Sequence, residues 1–254
     1  MELSVVVPVH NEADNLRPLL QEIDQALEGL YRYEVIYVDD GSSDATLAQL
    51  TALKSEFPRL RVLRHKQCCG QSAALRTGVS AALGTVVATL DGDGQNDPAD
   101  LPALLETWRK LNGAGTGLLV VGFRKHRKDT GWRRLSSRIA NGVRGYLLND
   151  RTPDTGCGLK VFARDVFLAL PYFDHMHRFL PALVQRAGGK VVSIEVNHRP
   201  RLRGRSKYGT WNRLWAGLVD LCGVLWLQRR AQIPEVEEIS GPTSAEGGGR
   251  KALP

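Results

Sequence analysis

The stretch "GTVVATLDGDGQNDP" (84–98) joins an apolar, β-branched run to a turn that holds three aspartates and a glutamine. The run reads as a buried strand. Asp97 and Pro98 then read as the cap and first residue of a helix, since proline is favoured at the first helical position. The same strand–turn–helix unit recurs through the first half of the chain. Strand-like runs fall at 3–9, 34–39, 60–64, 85–91 and 118–123, with helical stretches at 14–28, 43–56, 71–83 and 98–111 between them. These strands are nearly continuous Val, Ile and Leu, as expected where helices cover both faces of a parallel sheet. The pattern predicts an α/β fold: an open, doubly wound, mostly parallel sheet. Ligands of such sheets bind beyond the carboxyl ends of the strands.

Those ends carry the chemistry. The first strand ends in "PVHNE", the second in "DDGSSD", the fourth in "DGDGQ" and the fifth in "GFRKHRK". Three acidic ends and one basic end are therefore expected to crowd one rim. A solvated turn explains an isolated "DGDGQNDP", because Asp, Gly and Asn favour turns. Together with the other acidic ends it reads better as a platform for a hard cation and a phosphate. Asp91 and Asp93 lie two apart, so on extended backbone both can face one side, and Gly92 lets the backbone approach a ligand. No glycine follows the first strand until Gly29, which argues against a dinucleotide fingerprint.

The chain has 254 residues and a net charge of +7. The positive charge is local: 124–138 holds seven Lys/Arg and one Asp, and 199–213 holds six and no acid. Such segments point to an anionic partner. Four cysteines without CxxC spacing suggest reduced thiols in a cytosolic compartment, with Cys157 and Cys222 structural and no role assigned to Cys68 or Cys69. "MELSVVVPVHNE" enters a strand without a basic leader, so no signal peptide is expected. "HMH" (175–177) lacks a third ligand for a metal. The segment 132–148 is amphipathic at helical period, with Trp132, Leu135, Ile139, Val143, Tyr146 and Leu147 in one stripe and Arg133, Ser137 and Arg144 along its flank. The apolar run 214–227 is 14 residues long and contains Asp220. It is short of the roughly 20 residues a bilayer span needs. Trp211, Trp215, Leu218, Cys222, Leu225 and Trp226 share one face of that helix. The sequence thus divides into a catalytic region 1–198, a basic loop with an interfacial helix at 199–230, and a Gly/Ser/Glu-rich tail at 231–254 expected to be disordered.

The ordered set "VVVPVHNEADNL", "VDDGSSDAT", "GQSAALRTG", "DGDGQNDP", an arginine after the fifth strand and "RGRSKYG" resembles family 2 glycosyltransferases. Within them it is similar to the polyprenyl-phosphate sugar transferases of the dolichol-phosphate mannose synthase type. The resemblance implies a GT-A fold, inversion at the anomeric carbon, a nucleotide-sugar donor and Mg²⁺ or Mn²⁺. By motif, Pro8, His10, Glu12, Val38 and Asp40 would hold the base and ribose. Asp93 and Gln95 would ligate the metal, Asp91 and Gly92 would line the nucleoside or metal waters, and Arg124 would meet the diphosphate. Arg133, Ser137, Arg203 and Lys207 would receive the acceptor phosphate. GDP-mannose and UDP-hexoses stay open as donors.

A lipid phosphate is already anionic and needs little help from a general base, so positive charge is the main requirement for bringing two anions together. The helices at 132–148 and 211–226 suit a membrane interface, which places the protein at the cytoplasmic membrane face, peripherally attached. Two rival readings remain: a soluble or polysaccharide acceptor, and a non-enzymatic binder of membrane or nucleic acid. Nucleic acid is disfavoured, because no known nucleic-acid-binding signature accompanies the basic segments and a pure binder has no use for the acidic strand ends.

Overall fold

The computed structural model describes residues 2–111, 117–124, 144–145, 147–150, 152–200 and 210–232, with side chains of the last stretch from 217 onward. Seven strands form one sheet: β1 (Leu3–Val9), β2 (Tyr33–Asp40), β3 (Leu60–His65), β4 (Val86–Thr89), β5 (Leu118–Phe123), β6 (Lys160–Ala163) and β7 (Lys190–Glu195). Their order across the sheet is β3-β2-β1-β4-β6-β5-β7. All pairings are parallel except those of β6, which runs antiparallel to β4 and to β5. The carboxyl ends of β1, β2, β4 and β5 therefore share one rim, as the sequence implies. Reversing β6 brings the loop in front of it, "DTGCG", to that same rim.

Period-two burial in the strands sorts residues onto two layers. Val5 and Val7 of β1 pack on one face with Leu16, Leu19, Leu20, Ile23 and Leu27 of helix α1 (Leu16–Leu27) and with Leu101, Leu104 and Leu105 of helix α4 (Leu101–Leu111). The spacing of the α1 set is that of a helix with one buried stripe. Val6, Ile36 and Val38 face the other layer, against Ala74, Leu75 and Val79 of helix α3 (Gln71–Ala81). A short helix α2 (Thr46–Leu53) adds Leu50 to the first layer. Helices α5 (Arg164–Ala169) and α6 (Leu180–Arg186) extend the second layer, and α7 (Thr210–Arg229) adds Val224.

The elements match the sequence reading closely, with ends that differ for local reasons. β4 stops at Thr89 because the chain turns into the acidic loop. The helix read from Pro98 opens as a 3₁₀ turn, capped by Asp97, whose side chain accepts from Ala99 N at 3.0 Å. Helix α7 turns two apolar faces outward and inward. Leu221, Val224, Leu225 and Leu227 pack on the second layer, while Leu218, Val219, Cys222 and Trp226 are exposed. Leu225 thus parts from the face read for it, whereas Leu218, Cys222 and Trp226 keep it. No helix among the described residues is long and apolar enough to cross a membrane. Most of the amphipathic stretch 132–148 and the tail from 233 lie outside the described residues.

The amino rim of the sheet, opposite the acidic turns, is closed by Glu34. Its buried carboxylate accepts from Ser4 Oγ at 2.6 Å, Leu83 N at 2.7 Å and Arg61 Nη1 at 2.5 Å, so one side chain clips β1, β2, β3 and the turn before β4. Burial alone would raise its pKa, but the hydrogen bonds from Arg61, Ser4 and Leu83 outweigh it and hold the group below its usual value. A carboxyl lowered on folding stabilises fully above its unfolded pKa, about 4.3, and the benefit fades as pH falls through the folded value. Glu34→Gln is expected to cost about 2 kcal/mol near neutral pH and to flatten the decline of stability on the acid side. Urea titrations of both proteins at several pH values check this, and equal stability at neutral pH would refute it.

Candidate active site

The carboxyl rim is organised by short loops that staple to one another. After β1, His10 Nδ1–H donates to the Asp40 carbonyl at 2.8 Å. Asn11, at a φ of 54°, accepts from Ser43 N at 2.7 Å through Oδ1. Glu12 donates its amide to Thr46 Oγ1 at 2.9 Å and accepts from Asn15 Nδ2 at 2.7 Å. The "HNE" segment and the "DDGSSD" loop therefore form one unit on the β1–β2 side. Pro8 is buried opposite Val38 in the β1–β2 register. The Val38 side chain lies in the second-layer core, away from the loops.

The two aspartates ending β2 divide sharply. Asp39 Oδ1 accepts from Ser42 N at 3.1 Å, while its Oδ2 is a buried oxygen with no hydrogen-bond partner among the described residues. Asp40 is filled. Its Oδ1 meets Cys69 N at 2.8 Å and His65 Nδ1 at 2.7 Å; its Oδ2 meets Gly70 N at 2.8 Å and Cys68 Sγ at 3.3 Å. The structure thus uses Asp40 to anchor the 66–70 loop, and leaves the unsatisfied acceptor on its neighbour.

The acidic turn after β4 is the electrostatic centre. Gln71, first residue of α3, donates to Asp91 Oδ1 at 2.8 Å. Adjacent residues, Gly70 and Gln71, therefore hold Asp40 and Asp91, which arise on strands with β1 between them. Asp93 Oδ1 accepts from Gln95 N at 3.1 Å, folding the turn back on itself. Gly92 also has a packing duty: a Cβ there would press on Val9 and lie 2.9 Å from the Pro8 carbonyl oxygen. Gly158, in the loop before β6, has a comparable duty, since a Cβ there would overlap the Asp91 carboxylate.

Around Asp91 stand two buried cations. Arg124 makes a bidentate pair with Asp154, Nε to Oδ2 at 2.6 Å and Nη2 to Oδ1 at 3.0 Å, with both side chains nearly enclosed. Lys160, only 4% exposed, opens β6 and donates to the Cys157 carbonyl. Burial, and then the charge of Asp93, raise the Asp91 pKa; Lys160, Arg124 and the Gln71 hydrogen bond pull it back. Burial likewise lowers that of Lys160, against the pull of Cys157, Asp91 and Asp154. Two carboxylates that repel within a partly closed turn suit a hard divalent cation. The donor set Asp93 and Gln95 fits Mg²⁺ or Mn²⁺ on those grounds.

The neighbouring loops are pinned to this turn. Arg144 ties Asp150 at 2.9 Å to Thr155 and to the Arg178 carbonyl, so the "DTGCG" loop is held from both ends. At the start of the second basic segment, Arg199 N donates to the Gln95 carbonyl at 3.1 Å and His198 bridges Asn96. The Arg199 guanidinium binds Glu22 at 2.8 Å and Asp97. His175 and His177 have different partners: His175 contacts Asp220 of α7 at 3.0 Å and His177 contacts Ser72 at 2.8 Å.

Among the residues the sequence reading nominated, Asp91, Gly92, Asp93, Gln95 and Arg124 come together, with His10, Glu12 and Asp40 on the β1–β2 side of the same rim. Arg133, Ser137, Arg203 and Lys207 lie outside the described residues. Gln71 and Lys160 were not nominated. For Lys160 a signal existed, a lone lysine inside the apolar "LKVFA"; Gln71 stood unassigned in "GQSAALRTG".

Comparison with known proteins agrees with this arrangement. The profile of glycosyl transferase family 2 matches residues 4–170. Dodecaprenyl-phosphate galacturonate synthase of Rhizobium johnstonii is 36% identical over 236 residues, covering 90% of this chain and 68% of its own. Undecaprenyl-phosphate 4-deoxy-4-formamido-L-arabinose transferase of Edwardsiella ictaluri is 35% identical over 211 residues, covering 82% and 63%. The chain thus spans about two thirds of the length of these curated relatives. Glucosyl-3-phosphoglycerate synthase of Mycobacterium tuberculosis, solved with Mg²⁺ and uridine diphosphate, superposes with a TM-score of 0.67 at 21% identity, covering 92% of this chain and 80% of that one. A mostly parallel sheet with acidic strand ends and this run of likeness have one meaning: the chain belongs to glycosyltransferase family 2.

Proposed function

We propose that the protein transfers a sugar from a nucleotide diphosphate donor to a polyprenyl phosphate at a membrane surface. The observation that carries the reading is the joining of opposite charges at one rim. The acidic turn 91–95 is hydrogen-bonded, through Gln95 and Asn96, to the start of the basic segment that runs from Arg199. The two bacterial relatives, a dodecaprenyl-phosphate galacturonate synthase and an undecaprenyl-phosphate 4-deoxy-4-formamido-L-arabinose transferase, support the acceptor class.

In this reading Asp93 and Gln95 hold Mg²⁺ or Mn²⁺, which supplies neutralising charge to a departing diphosphate. Arg124, oriented by Asp154, presents its remaining donors to the same anion, and Lys160 keeps Asp91 from repelling it. Asp39 Oδ2, the buried acceptor left over at the end of β2, takes a donor N–H or O–H from the nucleoside, beside the His10 and Glu12 unit. Arg133, Ser137, Arg203 and Lys207 receive the acceptor phosphate. The exposed Leu218, Val219 and Trp226 of α7 rest at the headgroup level, peripherally, on the cytoplasmic face.

The test is transfer from UDP- and GDP-sugars to undecaprenyl phosphate in detergent micelles, with Mn²⁺ or with EDTA. A lipid-linked sugar is expected with metal and none without it. Asp93→Ala should lower kcat/KM by about 100-fold. Arg133→Ala should lose lipid product while donor hydrolysis survives. Transfer confined to soluble acceptors would reject the lipid assignment.

Gly158 offers an independent probe of the Asp91 position. Gly158→Ala is expected to displace that carboxylate and cut kcat by about 100-fold, the scale of an ångström-sized misplacement. Overpacking of this kind costs about 1–3 kcal/mol, so the circular dichroism spectrum should persist. An alanine variant with full activity would show that Asp91 has room to move.

A further inference from the structure

We propose that Asp40, His65 and Cys69, with Cys68 or a water completing the shell, bind a zinc ion, at a place separate from the all-oxygen pair Asp93 and Gln95. Among the described residues, one ligand atom from each of Asp40, His65 and Cys69 lies within 4.8 Å of the others. A tetrahedral zinc, with bonds of about 2.0–2.3 Å, sets its donor atoms roughly 3.3–3.8 Å apart. Asp40 Oδ1 and His65 Nδ1 lie 2.7 Å apart, Cys68 Sγ lies 3.3 Å from Asp40 Oδ2, and Cys69 Sγ, which donates to the Gln67 carbonyl at 3.3 Å, would turn to the metal.

The chemistry of the donors selects the metal. Thiolate sulfur and imidazole nitrogen suit Zn²⁺ and are poor partners for Mg²⁺. His65 is prepared for the role. Its Nε2 sits 2.9 Å from Thr77 Oγ1, a hydroxyl able to accept as readily as to donate. Transfer of the ring proton from Nδ1 to Nε2 therefore keeps that contact and frees Nδ1, now facing Asp40 at 2.7 Å, for a metal. Metal-bound histidines characteristically have their second nitrogen fixed by such a partner. Electrostatics favour a cation as well. Asp40 is 4% exposed, and among the described residues its carboxylate accepts from His65, Cys68, Cys69 and Gly70 and from no lysine or arginine. Two of these contacts, from His65 Nδ1 and Cys68 Sγ, would give way to a positive ion that meets the buried charge directly.

The consequence is local and specific. Zinc would fix the 66–70 loop, whose next residue, Gln71, holds Asp91. The metal is read without donor or acceptor, so failure here leaves the proposed transfer untouched, and failure of the transfer leaves the zinc site standing.

The full-length protein, reduced and stripped with a chelator, is reloaded with Zn²⁺, dialysed and analysed for metal by mass spectrometry. Wild type and Asp93→Ala are expected to retain one zinc per chain, and Cys69→Ser and His65→Gln to bind at least tenfold more weakly. Co²⁺ substitution should give a thiolate-to-metal charge-transfer band that Cys69→Ser abolishes. No retained zinc in wild type, or retention and cobalt spectra unchanged in Cys69→Ser, would overturn the site. Should the variants fail to fold, iodoacetamide alkylation of wild type answers instead: protection of Cys69 by stoichiometric zinc supports the proposal, and unaltered alkylation rejects it.

Discussion

The site rests on how one carboxylate, that of Asp91, is confined. Gly158 closes on it so tightly that no side-chain carbon fits between them, Gln71 holds one oxygen, and Asp93 repels it from the next turn. Burial and that repulsion push its pKa up. Lys160 and Arg124 oppose this from within the protein, and both lie deep enough that water screens them little. Everything near the turn is then tied to keeping those charges in register. Asp154 orients Arg124, Arg144 steadies the loop that carries Asp154, and the Cys157 carbonyl fixes Lys160.

The reversal of β6 follows from the same requirement. A seventh parallel strand in that slot would have delivered its leading loop to the amino rim, where Glu34 works as a structural clip. Running antiparallel between β4 and β5, β6 instead delivers Asp154, Gly158 and Lys160 to the carboxyl rim beside Asp91. The sheet thereby separates two kinds of acid. Glu34 is saturated by hydrogen-bond donors and stabilises the fold. Asp91 is held short of that condition by a like charge, a state useful only where a cation or an incoming anion completes it.

Much of this was legible in residue order, and for identifiable reasons. β1, β2, β4 and β5 are buried on both faces, so their Val/Ile runs announce strands without any need for periodicity, and their polar ends announce loops at one rim. The direction of β6 was not legible, because four residues of "KVFA" carry no sign of which neighbours they join. Nor was the division between Asp39 and Asp40. Both follow the same strand, and only the pairing of β2 with β3, which brings His65 opposite Asp40, decides which of them the 66–70 loop consumes. Cys68 and Cys69 were opaque for the same reason: without the partner strand they are two small polar-apolar residues in a loop. Gln71 illustrates a subtler limit. A helix's first residue faces whatever lies beyond the strands, but its partner here is set by β4, three positions across the sheet from β3.

The 66–71 segment makes the rim a coupled object rather than a collection of side chains. Asp40 receives two consecutive amides of this loop, Cys69 N and Gly70 N, and the residue that follows reaches Asp91. A displacement of the loop by even a fraction of an ångström must therefore stretch hydrogen bonds at both aspartates, since neither the peptide links nor the α3 helix that continues from Gln71 can absorb it. Packing stiffens the arrangement further: α3 lies against β1 and β2 through Gly78, where a Cβ would collide with Val6, so the helix cannot slide to relieve strain at its start. Rigid coupling of this kind explains why loops of such different sequence, "DDGSSD", "HKQCCG" and "DGDGQ", behave as parts of one site. It also means that anything gripping the cysteine loop, a metal ion included, acts on Asp91 through covalent and hydrogen-bonded links alone, with no rearrangement of the sheet.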